Sequence, residues 1–205
     1  MPFSLEEGAA AVVLARETLD AHVSGAVAKP RPLSLDALSE QRGVFVTLNL
    51  ASASVEERLR GCIGFPLPVK KLGEAIREAT VAAASEDPRF PPIAKSELDS
   101  VVIEVSILTR PEAIEVSRPQ DLPARVRIGT DGLIVSRSYL SGLLLPQVAT
   151  EFNLDQTEFL SQACLKAGLP ADSWLDGETK VQVFQAEIFA ESHPRGKVVR
   201  LNPES

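Results

Sequence analysis

The chain has 205 residues, of which 44% are hydrophobic, 24% charged and 5% aromatic, and a formal net charge of −7. That length and mix fit one compact unit with a full-sized core and exclude a disordered chain. The acidic balance argues against a nucleic-acid binder, which needs clustered Lys and Arg to displace counterions.

Two distant cysteines, Cys62 and Cys164, cannot build a disulfide framework, and nothing at the N-terminus reads as a charged segment followed by an apolar one. No apolar run approaches the roughly 20 residues that span a bilayer. A cytoplasmic protein without membrane contact is expected.

Ser4-Leu5-Glu6-Glu7 fits a capping box, and Leu5, Ala9, Val12, Val13 and Leu19 recur at helical spacing, which predicts a helix to about residue 22. The Ala28–Ser39 stretch, with Pro30 and Pro32, breaks it. Gly43–Asn49 reads as a strand, Ala51–Val55 as a Ser-rich turn and Leu59–Phe65 as the partner strand, with Arg60-Gly61-Cys62-Ile63-Gly64 at a sheet rim and a strand's end. Leu72, Ala75, Ile76 and Ala79 mark a helix to about Ser85, ended by Asp87-Pro88-Arg89-Phe90-Pro91-Pro92. Val101–Leu108 has the apolar density of a central strand.

Two hairpins are then expected, turning at Thr130-Asp131-Gly132 between Val126–Ile128 and Leu133–Val135, and at Ser141-Gly142 between Tyr139-Leu140 and Leu143–Leu145. Asp155-Gln156-Thr157-Glu158 starts a helix whose apolar face includes Phe159, Leu160, Ala163 and Cys164, so that Cys164 is core. One last strand over Val181–Phe189 precedes a polar Pro194–Ser205 tail. Helices and hairpins mixed in this way indicate an α+β fold rather than a doubly wound one.

The motifs of several enzyme classes are missing: there is no phosphate-binding Gly-x-x-x-x-Gly-Lys loop, no dinucleotide fingerprint, no nucleophile elbow and no Cys-x-x-Cys. With only His22 and His193 as imidazoles, no metal site and no cofactor is implied. Cys62 carries two readings. It is a small buried hydrophobe with glycines for packing, or a thiolate activated by Arg60 at a sheet edge. Asp87–Phe90 likewise is either a self-satisfied loop or a binding loop in which Arg89 holds a carboxylate or phosphate. Gln147 is the polar reader of an otherwise apolar Gly142–Gln147 stretch, itself expected as core strand.

Leu59–Gly64, Asp87–Pro92, Glu104–Leu108, Gly142–Gln147, Phe159-Leu160 and Cys164–Leu169 followed by Trp174 together resemble the AMMECR domain family, in the expected order over almost the whole chain. The resemblance implies an α+β fold with antiparallel sheet flanked by helices and two unequal lobes with a cleft between them. Residues 1–205 then form one domain, with a larger lobe containing both termini and a smaller middle lobe. It brings no established activity and leaves open whether the protein is an enzyme. Family members are associated with a radical S-adenosylmethionine protein and a Memo-like protein, which are therefore the expected partners. The cluster-binding cysteines of a radical enzyme are absent here, so such chemistry would be a partner's. One departure is Ser136–Ser141, less charged than the family pattern.

The resulting expectation is a small-molecule cleft centred on Cys62. Arg60 is the thiol's electrostatic partner, and Gly61, Gly64, Asp87, Arg89 and Gln147 contact a small anionic ligand. The alternative is a non-catalytic protein–protein binding module built on the same face.

Overall fold

The computed structural model describes residues 2–26, 36–51 and 58–201. Pro30 and Pro32 of the expected breaker, and most of the Ser-rich turn after Ala51, lie outside those residues. In chain order the elements are α1 (Leu5–Ser24), β1 (Val44–Leu50), β2 (Leu59–Phe65), α2 (Leu72–Ser85), β3 (Val101–Leu108), β4 (Glu112–Ala113), β5 (Gly132–Arg137), β6 (Leu140–Leu144), α3 (Pro146–Glu151), α4 (Gln156–Lys166), β7 (Lys180–Phe184), β8 (Ala186–Glu191) and β9 (Val198–Leu201). They form two compact units, one built from the chain up to Leu108 and again from Glu187, the other from Thr109–Ala186. The fold is α+β with two sheets, in which β1 pairs antiparallel with β2 and β3, β8 with β9, β7 with β4 and β5, and β5 with β6.

In the first unit the sheet runs β2-β1-β3-β8-β9, so the apolar strand Val101–Leu108 is central and Leu59–Phe65 is the rim. Val44, Val46 and Leu48 alternate inward with Val101, Ile103, Val105 and Ile107, against Ala11, Val12, Ala15 and Leu19 of α1 and Leu72, Ile76 and Ala79 of α2. Helix α1 opens on the expected capping box, with the Glu7 N–H donating to Ser4 Oγ at 3.2 Å and the Ser4 N–H to Glu7 Oε2 at 2.7 Å. Its buried stripe is rotated from the one expected: Leu5 and Val13 are exposed, whereas Gly8 packs under the Phe189 ring and Arg16 is buried. Arg16 turns inward because Glu191 meets it, with Nε 2.9 Å and Nη2 2.6 Å from the carboxylate. Its remaining donors reach the Leu98 and Val101 carbonyls.

The second unit carries the sheet β4-β7-β5-β6 with α3 and α4. Its core gathers Leu133, Val135, Phe159, Leu160, Ala163, Cys164 and Val181, which places Cys164 in the interior as expected.

Five local expectations are corrected. Val126–Ile128 is not a strand, because the Asp131 carboxylate draws the chain into a loop by accepting the Arg127 N–H at 2.9 Å and pairing with its guanidinium at 2.8 Å. The β5–β6 turn falls at Ser138–Tyr139, where Ser138 takes a positive φ of 55°. Ser141-Gly142 lies inside β6, since Gly142 must pack against the backbone of Lys166 and Ala167. Pro146 starts a helix instead of closing a strand, a position that suits its missing N–H.

The expected final strand is two strands in different sheets. At Gln185 the chain leaves the ladder: its N–H donates to Thr109 Oγ1, its carbonyl accepts from the Thr109 N–H, and its amide reaches Asp131. The polar tail contains β9, paired with β8, where Arg200 lies over the Phe189 ring and bonds Glu187.

Candidate functional site

Strand β2 pairs with β1 in register from Phe65 to Gly61, then slips by one residue: Leu48 faces Gly61, but Asn49 faces Leu59. Arg60 is the extra residue of that bulge, and bulges re-aim side chains. Its guanidinium, on a residue only 8% exposed, donates to Glu97 through Nε at 2.8 Å and Nη2 at 3.2 Å, and to the Pro92 carbonyl at 3.3 Å. It also lies 6.0 Å from the centre of the Phe90 ring. This bond holds the Glu97 carboxyl below its usual range. Arg60 is thus a tie between the edge strand and the segment after α2, and is not the group that sets the charge around the thiol.

The flanking glycines serve packing within the unit. A Cβ on Gly61 would run into the Ala83 carbonyl oxygen of α2, and one on Gly64 into the Val44 carbonyl and the Phe45 ring. The helix consequently sits directly on the strand's backbone.

Cys62 lies on the opposite face of the sheet from Gly61. Register places it across from Thr47, and Thr47 across from Glu104, so thiol, hydroxyl and carboxylate form one row over three adjacent strands. The Thr47 hydroxyl donates to Cys62 Sγ at 3.2 Å. The thiol is half-buried, and burial pushes it up from its ordinary value; the Thr47 hydroxyl and the Arg89 charge pull it back, while Glu104 and Asp87 add to the rise. At neutral pH it is a thiol, not a thiolate. Glu104 is also pushed up by burial, opposed by Arg58. Among the described residues its carboxylate makes no hydrogen bond or ion pair.

The backbone of Cys62 points to the open edge, and the Asp87–Arg89 loop takes the place of a neighbouring strand there. Asp87 Oδ2 accepts the Cys62 N–H at 2.9 Å, and Arg89 Nη2 donates to the Cys62 carbonyl at 3.3 Å. The two side chains bond each other at 2.7 and 2.9 Å. Arg89 and burial oppose one another at Asp87, and the guanidinium wins, holding the carboxyl well below the usual carboxylate range. Arg89 also lies 5.4 Å from the Phe90 ring centre, with its side chain 52% exposed, and its Nη1 has no hydrogen bond among the described residues.

The structure therefore gathers Arg60, Gly61, Cys62, Gly64, Asp87 and Arg89 along β2 in the first unit. Gln147 belongs to the second unit, where it is exposed in the first turn of α3 and its carbonyl accepts from Thr150. That unit has a groove of about 540 Å³, lined by Trp174, Leu122, Val116, Asp176 and Lys180 among others, and none of the sequence-derived site residues faces it. Thr47 carries no motif signal, and Glu104 enters the sequence only as the first residue of a family stretch, with no site role. The signal for Glu104 is a lone charge inside Val101–Leu108, and for Thr47 a hydroxyl at an outward position of β1. No helix among the described residues is long and apolar enough to cross a membrane.

Comparison with known proteins agrees with this architecture. A protein of Thermococcus gammatolerans is 52% identical over 196 residues, covering 95% of each chain, and one of Methanothermobacter thermautotrophicus is 50% identical over 191 residues, covering 93% of this chain and 97% of its own. The crystal structure of the uncharacterized protein PH0010 from Pyrococcus horikoshii superimposes with a TM-score of 0.78 at 47% identity, covering 95% of this chain and 96% of that one. The AMMECR1 family model matches residues 12–189, and the chain belongs to the AMMECR1 family.

Proposed function

We propose that the outer face of the first unit's sheet is a small-molecule site in which Cys62 is the contacting or reacting group and Arg89 anchors an anion. The observation that carries this reading is the pairing of a half-buried thiol with a guanidinium that is structurally fixed by Asp87 yet half exposed, with one nitrogen unused among the described residues. In the same reading the protein is cytoplasmic and acts alongside a radical S-adenosylmethionine protein and a Memo-like protein, the associations of its family. Any radical chemistry belongs to that partner.

The test is to incubate the purified protein with small thiol-directed electrophiles, with and without a carboxylate, and to locate the adduct by mass spectrometry. Adducts at Cys62, faster for the anionic reagent and absent in Cys62→Ser, support the reading. Pull-down of both partners by wild type and Cys62→Ser alike, with no adduct at Cys62, would favour a protein–protein docking module.

A further inference from the structure

Glu104 stands in the central strand of the first unit's sheet, on the face opposite its apolar core, half-buried and with no hydrogen bond or ion pair among the described residues. Desolvating a carboxylate without a bonding partner is costly, so a fold retains one where it has a task. The register places Glu104 directly across from Thr47, and Thr47 directly across from Cys62. Residues so opposed have Cβ atoms about 4.5–5.5 Å apart, within reach of a glutamate side chain. The hydroxyl between them can donate and accept at once, and it is already 3.2 Å from the sulfur.

We infer that Glu104 accepts the Cys62 proton through Thr47 when the thiol attacks an electrophilic carbon in an anionic small molecule. This rests on the small-molecule reading above and names the proton acceptor of that site. The sulfur's electron pair forms the S–C bond, and the leaving group departs with the pair of the bond it breaks. The Thr47 hydroxyl, which donates to the sulfur at rest, first turns its proton toward the Glu104 carboxylate; that proton then passes to the carboxylate as the thiol proton passes to Oγ1. An alkylation fits the site better than acyl transfer, because the Cys62 N–H that would stabilise an oxyanion is held by Asp87.

Among the described residues, few charged groups act on the row. Arg58 faces Glu104, and Arg89 and Asp87 face the thiol. On β8, Glu187 and Glu191 are held by Arg200 and Arg16. A relay would let a thiol raised by burial react at neutral pH. Glu104 acts through Thr47 and is a positioning residue.

The experiment is the rate of Cys62 alkylation by iodoacetate, with iodide as leaving group, followed by intact mass across pH in the full chain. Wild type should show two inflections, one from Glu104 and one from direct ionisation of the thiol. Glu104→Gln should slow the reaction about tenfold or more at pH 7.5 and match wild type where hydroxide alone ionises the thiol. Thr47→Val should behave likewise, and Thr47→Ser should restore the rate. Buried Cys164 reports folding, since it stays unmodified in a folded variant. A bystander carboxylate has the opposite signature: removing its charge eases thiolate formation, and Glu104→Gln reacts as fast as wild type or faster. That result, or a single inflection in wild type, overturns the relay alone. Absence of any native-state reaction at Cys62 overturns the small-molecule reading with it.

Discussion

The Asp87 carboxylate accepts the backbone N–H of Cys62 at 2.9 Å, while its ion-pair partner Arg89 donates to the carbonyl of the same residue at 3.3 Å. A two-residue side-chain clamp thus saturates the backbone that an edge strand otherwise offers to a second chain. Asp87→Ala leaves a part-buried N–H without its acceptor and is expected to cost about 1–3 kcal/mol, read from urea denaturation. Because the folded carboxyl titrates below its unfolded value, its contribution is present above about pH 4 and is lost as pH falls below that. Wild type should therefore lose stability on acidification through that range, and Asp87→Asn should lose less.

Arg60, two residues before the thiol in sequence, and Arg89, which folding brings to the Cys62 carbonyl, have different tasks. Arg60→Met breaks the bonds to Glu97 and Pro92 and is expected to destabilise by about 1–3 kcal/mol, a partly exposed pair being worth less than a fully buried one. It should leave Cys62 alkylation rates unchanged. Arg89→Gln should slow iodoacetate more than iodoacetamide, since only the first reagent carries a charge for the guanidinium. Comparing the two reagents on both variants checks the assignment.

Glu104 titrates above its ordinary value, so the folded state holds its proton more tightly than the unfolded chain does. Such a group lends stability below the unfolded value of about 4.3, and that stability declines as pH rises through the folded value. Glu104→Gln removes the penalty. Thermal melts should show the variant gaining over wild type as pH rises from 4 to 8, by roughly 2–4 °C for each kcal/mol recovered.

Periodicity and capping made much of the first unit legible. Leu59–Phe65, Leu72–Ser85 and Val101–Leu108 carry their signals locally, in alternation, helical spacing and flanking Pro. The elements whose local signals mislead depend on partners distant in sequence. Gln185 leaves the ladder because Thr109 and Asp131 hold it, and Arg16 turns inward because Glu191 waits 175 residues later. The site divides in the same way. Cys62 and the Asp87–Arg89 loop are visible as a motif, but the clamp, the Arg60 bulge and the Cys62–Thr47–Glu104 row are products of strand register.

The most direct measurement is native-state labelling of the two thiols at pH 7.5 by iodoacetate, resolved by peptide mass spectrometry. Cys164 has no exposed surface and serves as the internal standard. Stoichiometric modification of Cys62, with Cys164 labelled only after denaturation, is the predicted result. Protection of both cysteines until the chain unfolds would contradict a reactive site at Cys62.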